Sequence, residues 1–190
     1  MDLELDPAEI LAFWFGPEPH GSREFWFRKD PAFDAEIARR FGATVDAALD
    51  GAYRDWTATP QGTLARVLLL DQFTRNLFRD RPRSFAGDAE ALAMATSAVD
   101  DGDDRALDRY ERWFLYMPFE HAEDRAVQER SLALFGNLAT ETGDDSLLRW
   151  AEKHAEIIRR FGRFPHRNAI LGRTSTPEEI AFLREPGSRF

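Results

Sequence analysis

Three times in this chain an aspartate or threonine stands directly before a proline that opens an apolar segment: Asp6-Pro7, Asp30-Pro31 and Thr176-Pro177. At the last of these, Glu179 completes a capping box. Proline has no N–H to lose at a first helical position, and the side chain before it takes up amide protons that the helix leaves unbonded. Each pair therefore marks a helix start. The apolar residues that follow are mostly alanine and leucine, while valine and isoleucine, which lose rotamer freedom in a helix, are scarce. The expected fold class is all-α.

Apolar spacing between such signals predicts about nine helices, over 6–15, 31–51, 60–79, 88–99, 104–116, 119–141, 145–161, 166–171 and 177–184. The connections are short except between Gly16 and Lys29, where Gly16-Pro17-Glu18-Pro19-His20-Gly21 is too densely punctuated to be anything but a loop. No Ser/Gly linker divides the chain, and 190 residues suffice for one core. A single helical domain over residues 1–190 is expected, with consecutive helix pairs stacked as antiparallel hairpins.

Composition narrows the function. A formal charge of −9 argues against a nucleic-acid binder that works through a broad basic surface. The absence of cysteine excludes disulfides, thiol nucleophiles and cysteine-held metal centres. The opening Met1-Asp2-Leu3-Glu4-Leu5-Asp6 is acidic where a signal peptide is basic, and no apolar run reaches the roughly 18 residues of a membrane helix. A cytoplasmic protein without a membrane partner is expected.

Polar residues in line with a core face are informative, because a buried polar group without a partner costs about 1–3 kcal/mol. In the 60–79 helix, Leu64, Leu68, Asp71 and Arg75 form one stripe that ends as a carboxylate and a guanidinium, with Asn76 beside it. As a plain surface pair, Asp71 and Arg75 would contribute only about 0.2–0.5 kcal/mol and need no function. After Pro118, His121, Asp124 and Gln128 lie on a line continued by Leu132 and Phe135. Glu120, Glu123 and Asp124 would gain from the positive end of the helix dipole there. His154, amid Leu147, Ala151, Ile157 and Ile158, reads as a core histidine satisfied by one hydrogen bond. Arg159, Arg160, Arg163, Arg167 and Arg173 face only Glu156 within their own stretch, and Arg66, Arg75, Arg79, Arg81 and Arg83 outnumber Asp71 and Asp80 in theirs. Both stretches read as cationic islands. Asp100, Asp101, Asp103, Asp104 and Asp108 read as a solvated turn and helix start.

Four blocks together resemble the bacterial domain-of-unknown-function family 924. They are Leu70-Asp71-Gln72-Phe73-Thr74-Arg75-Asn76, Tyr116-Met117-Pro118-Phe119-Glu120-His121, Phe161 through Asn168, and Leu171 through Glu179, with Phe13-Trp14-Phe15 also similar. The resemblance implies a helical fold similar to tetratricopeptide-repeat proteins and brings no agreed reaction, cofactor or partner. The family usually has proline at the position of Thr74, so a less kinked helix end is implied here.

Three functions compete. In the first, Arg75, Arg163, His166 and Arg167 converge on a small anionic ligand, with Asn76, Asp124 and Gln128 also binding it. Asp71, Glu120, His121 and His166 would then orient the ligand or transfer protons, since an imidazole titrates near neutrality. In the second, Glu120, His121 and Asp124, with His154 or His166, hold a divalent ion that activates water. In the third, stacked hairpins bind a protein partner, through aromatics such as Phe13, Trp14, Phe15, Phe25, Trp26 and Phe27 if these are not core. There is no HExxH, EF-hand, P-loop, Rossmann or Gly-x-Ser-x-Gly pattern, so no resident metal or cofactor is expected and acyl transfer is disfavoured.

Overall fold

The computed structural model describes residues 5–188, and among these it contains helices, turns and loops but no β-strand. The α-helices are α1 (Pro7–Phe15), α2 (Pro31–Leu49), α3 (Pro60–Val67), α4 (Thr74–Leu77), α5 (Asp88–Asp101), α6 (Arg109–His121), α7 (Arg125–Thr142), α8 (Ser146–Phe161) and α9 (Pro177–Phe182). The acidic opening at Met1–Glu4 lies outside the described residues. No helix among the described residues is long and apolar enough to cross a membrane. The chain divides into two compact units, residues 1–79 with 83–118, and residues 80–82 with 119–190.

The helix starts form as their chemistry dictates. Asp6 accepts the Ala8 N–H at 2.8 Å, and Asp30 accepts those of Ala32 and Phe33 at 3.0 and 3.2 Å. Thr59 caps α3 in the same way through Gly62. At α9 the Thr176 hydroxyl and the Glu179 carboxylate exchange bonds with each other's backbone. Each such cap contributes about 1 kcal/mol.

In the first unit, α1 and α5 both pack on α3, while α2 packs on the run that follows α3. Ring contacts tie this unit together. Trp14 meets Phe73 at 5.4 Å and Phe114 edge-on at 5.3 Å, and Trp26 meets Phe114 edge-on at 4.8 Å. The aromatic segment at the start of the chain is therefore mainly core: Trp14, Phe15 and Trp26 are buried and Phe27 is exposed.

The predicted helix over 60–79 is one continuous run to Leu77, but its middle turn, Leu68–Phe73, is π-helical. Every residue from Gly62 to Thr74 is buried. This run is enclosed on all sides and carries no solvent face. Thr74 turns its hydroxyl onto the Leu70 carbonyl at 2.8 Å and the Asp71 carbonyl at 3.2 Å, so acceptors at the widened turn are satisfied.

Three predicted helices are corrected. The expected helix over 104–116 is a 3-10 turn, Asp103–Ala106, followed by α6, because Asp108 caps α6 through the N–H groups of Tyr110 and Glu111 at 2.8 and 2.9 Å. The helix expected from 119 begins only at Arg125. Pro118 lies inside α6, and Asp124 caps α7 by accepting the Val127 N–H at 3.0 Å. The 166–171 helix is reduced to a 3-10 turn, Pro165–Arg167.

In the second unit α7 and α8 form a hairpin, joined through Gly143, whose φ of 69° suits glycine. The buried face of α8 carries Leu147, Ala151, His154, Ala155, Ile157 and Ile158. Ile157 and Ile158 pack with Phe161, Phe164 and Phe182 in one apolar cluster.

Candidate functional site

The first unit uses its predicted site residues largely on one another and on neighbouring acids. Asp71, at 0% exposure, accepts a short bond from Gln72 Nε2 and lies 3.5 Å from Arg75 Nη2. Arg75 spends its fork on Asp88, at 3.1 and 3.2 Å, and gives a further bond to the Ser84 carbonyl at 2.8 Å. Asn76 donates to Asp34 at 2.7 Å, and Arg79 pairs with the same carboxylate. Arg66 pairs with Glu90 at 2.7 Å and Arg83 with Asp46 at 2.7 Å. The cationic island read in this stretch is thus met by acids that lie elsewhere in the sequence.

The same holds for most arginines of the second unit. Arg159 pairs with Glu129 and Arg160 with Glu178. Arg163 grips Glu179 through two bonds, at 2.7 and 2.8 Å. Arg173 pairs with Glu123 at 2.9 Å and also bonds Asn168 at 2.9 Å, while Asn168 reaches Glu179 at 3.1 Å. Glu123 accepts the Phe164 N–H at 2.7 Å as well. These contacts fold residues 162–179 into a fixed corner. The Glu179 carboxyl is pulled down to about 2 by the Arg163 bonds first, then by the Thr176 N–H, the Arg163 charge and Asn168.

Asp124 and Gln128 serve the backbone. Asp124 is the α7 cap, and Gln128 Nε2 donates to the carbonyls of Glu120 (2.7 Å), Ala122 (2.8 Å) and Phe119 (3.3 Å), closing the C-terminal end of α6. The straight line of His121, Asp124 and Gln128 does not exist, because a break at Ala122–Asp124 separates His121 on α6 from Gln128 on α7.

What the second unit does bring together is a set of imidazoles around Phe164. The rings of His121 and His154 are 6.3 Å apart, and Phe164 lies 5.7 Å from both His154 and His166. The Arg167 guanidinium sits over the Phe164 ring at 4.5 Å. Glu120 is buried with an oxygen 3.8 Å from His154 Nδ1. Burial holds the His154 imidazole far below its usual range, at about 3, with the positive charges of His121, Arg167 and His166 adding to the effect against a bond to the Trp150 carbonyl. His154 is therefore neutral, while His121 and His166 are half-buried and reachable. A group of this kind can bind an anion and move a proton at an imidazole nitrogen.

The sequence reading missed a second constellation, in the first unit. His20, Asp108 and Glu111 face a cavity of about 840 Å³ together with Glu18, Gln61 and Arg109. His20 donates to Asp108 at 2.6 Å, and its ring stacks on Phe15 with centroids 5.1 Å apart. Glu111 is buried and its carboxyl is raised by that burial, helped by the charges of Asp108 and Glu18. Asp108, read as part of a solvated turn and helix start, is exposed and caps α6 as expected, and it also lines this cavity. Asp104 of the same run is buried and takes the Tyr116 hydroxyl. A signal was available, since Asp108-x-x-Glu111 is a capping-box pattern. Among the described residues, the acid and histidine side chains that gather closely enough to hold an ion are these three and not Glu120, His121 and Asp124.

This is an all-helical protein whose ionic groups are largely paired with one another and whose second unit gathers three imidazoles near Phe164. The chain belongs to the family described as bacterial protein of unknown function (DUF924), whose model matches residues 10–187. It is similar to a solved structure of a protein of unknown function from Agrobacterium tumefaciens, with 41% sequence identity and a TM-score of 0.83, covering 94% of this chain and 96% of that one. No curated protein matches it.

Proposed function

We propose that the second unit binds a small anion, a phosphate or carboxylate group of a metabolite, against Arg167, His166 and His121, with one of the two half-buried histidines giving or taking a proton. The observation that carries this reading is the gathering of Arg167, His166 and His154 around the Phe164 ring, with His121 beside His154. Arg167, His121 and His166 carry or can carry positive charge, and an anion placed against them is stabilised by it. Burial strengthens the effect, because charges interact more strongly where water is excluded. Glu120 supplies a carboxylate beside the imidazoles that can orient one of them. Arg75 and Asn76 are spent within the first unit, Arg163 on Glu179, and Asp124 and Gln128 on helix ends, so none of these enters the proposal.

A thermal-shift panel of phosphorylated and carboxylated metabolites tests it. A ligand present at 100 times its Kd adds about 2.7 kcal/mol of stability, enough for a clear shift. Stabilisation by at least one anion is expected in the wild type and is expected to vanish in Arg167→Ala. His166→Ala, which leaves the stack of Arg167 on Phe164 in place, is expected to weaken it. If no anion stabilises the protein, or if both variants respond as the wild type does, the proposal is wrong.

A further inference from the structure

The cavity of the first unit carries an independent site. We propose that His20, Asp108 and Glu111 hold a divalent cation of the Mn²⁺ or Zn²⁺ kind. One ligand atom from each lies within 4.8 Å of those of the other two. The donor set, one imidazole and two carboxylates, is intermediate between the all-oxygen sites of magnesium and calcium and the nitrogen-rich sites of copper.

Three observations support a cation rather than a plain ion pair. The cavity wall sets three carboxylates, those of Glu18, Asp108 and Glu111, against the single guanidinium of Arg109, so its charge is negative even with His20 neutral. His20 comes from the Gly16–Lys29 loop and Asp108 and Glu111 from the start of α6, so the ligands converge from segments far apart in sequence. The two acids are also held in place before any ion arrives: Asp108 Oδ1 caps α6, and Glu111 Oε2 accepts the Asp108 N–H at 2.9 Å. Each carboxylate spends one oxygen on the backbone and keeps the other for the cavity group, where Asp108 Oδ2 already meets His20.

Binding is a simple exchange. The ion takes the place of the proton that now links His20 Nδ1 to Asp108 Oδ2; that proton leaves Nδ1 to solvent while Nε2 takes one up, so the imidazole stays neutral as it turns from donor to ligand. Three protein ligands leave coordination positions open toward a cavity of about 840 Å³, room for water or for an oxygen of a small molecule.

Isothermal titration of the chelator-treated full chain with MnCl₂ and with ZnCl₂ tests this. One saturable equivalent is expected for at least one ion. Asp108→Asn and Glu111→Gln keep the capping acceptors and so keep the fold, as circular dichroism melts will verify, yet each removes an anionic ligand. Each is expected to weaken binding by about 10-fold or more, and His20→Ala to abolish it. No saturable binding of either ion, or binding unchanged in Glu111→Gln and His20→Ala, overturns the site. Arg167→Ala leaves it intact, so failure here is separable from failure of the anion site.

Discussion

His154 donates its Nδ1 proton to the Trp150 carbonyl at 2.9 Å, one helical turn back along α8. A carbonyl can only accept, so this contact fixes the tautomer and leaves Nε2 as the unprotonated nitrogen. Taking up a second proton there is opposed by burial and by the nearby charges of His121, Arg167 and His166, which is why the imidazole stays neutral down to about pH 3.

That depression sets a pH dependence. The unfolded chain protonates His154 near its ordinary value of 6.5, and the native state does not do so until about 3. Across that window the unfolded state binds more protons, so stability falls as the pH is lowered, by up to about 1.4 kcal/mol per pH unit for one proton. Urea unfolding at pH 7.5, 6 and 5 is expected to show this decline in the wild type and a shallower one in His154→Leu. Equal slopes in the two proteins would show that His154 does not titrate as its surroundings dictate.

Glu179 acts in a lower window with the same sign. Its carboxyl is held at about 2 against an ordinary 4.5, so its contribution is complete above about 4.5 and is lost as the pH falls toward 2. Glu179→Gln is expected to cost about 1–3 kcal/mol at pH 7, because Arg163 loses both charged bonds while glutamine can still accept from Thr176. The gap between wild type and variant is expected to narrow as the pH approaches 2, and guanidinium unfolding at pH 7, 4 and 2.5 measures it.

What could be read from the sequence followed from local chemistry. Asp6, Asp30 and Thr176 cap helices because capping needs only the next few residues, and the aromatics of α1 are buried because no other placement removes so much apolar surface from water. Charge pairing was illegible because it is long-range. Arg173 looked uncompensated in its own stretch, yet its partner Glu123 is 50 positions away. The π turn at Leu68–Phe73 was missed for a different reason, since a spacing rule built on 3.6 residues per turn cannot register a locally wider one. Pro118 misled because proline usually marks a start, whereas here Asp108 and Asp124 set the helix ends on either side of it.

Gln128 is expected to matter to stability out of proportion to its chemistry. Its Nε2 group serves three carbonyls at the end of α6 from a side chain that is 1% exposed. Gln128→Ala leaves those acceptors without their donor and is expected to cost about 1–3 kcal/mol. Gln128→Glu is expected to cost more at pH 7, because it buries a carboxylate against carbonyl oxygens and has nothing to donate. Chemical unfolding of the two variants ranks them; a Glu variant as stable as the wild type would mean that the carbonyls are satisfied by other means.

Gly87 provides the sharpest packing test. It precedes α5, and a Cβ added there would stand 2.3 Å from the Leu70 carbonyl oxygen and 2.8 Å from the Leu70 Cβ. Both obstacles belong to the π turn, where Leu70 also accepts the Thr74 hydroxyl, so the backbone cannot yield without disturbing that bond. Gly87 has no positive φ, so conformational strain plays no part and close approach alone explains the glycine. Gly87→Ala is therefore expected to destabilise the protein by about 1–3 kcal/mol through overpacking, even though alanine is the better helix former. Pairing it with Thr74→Val separates the two effects. If α5 rests on the π turn as described, the Thr74 change has already loosened Leu70, and the double variant is expected to lose less than the sum of the single losses. Strict additivity would show that the Leu70 carbonyl is not the point of contact.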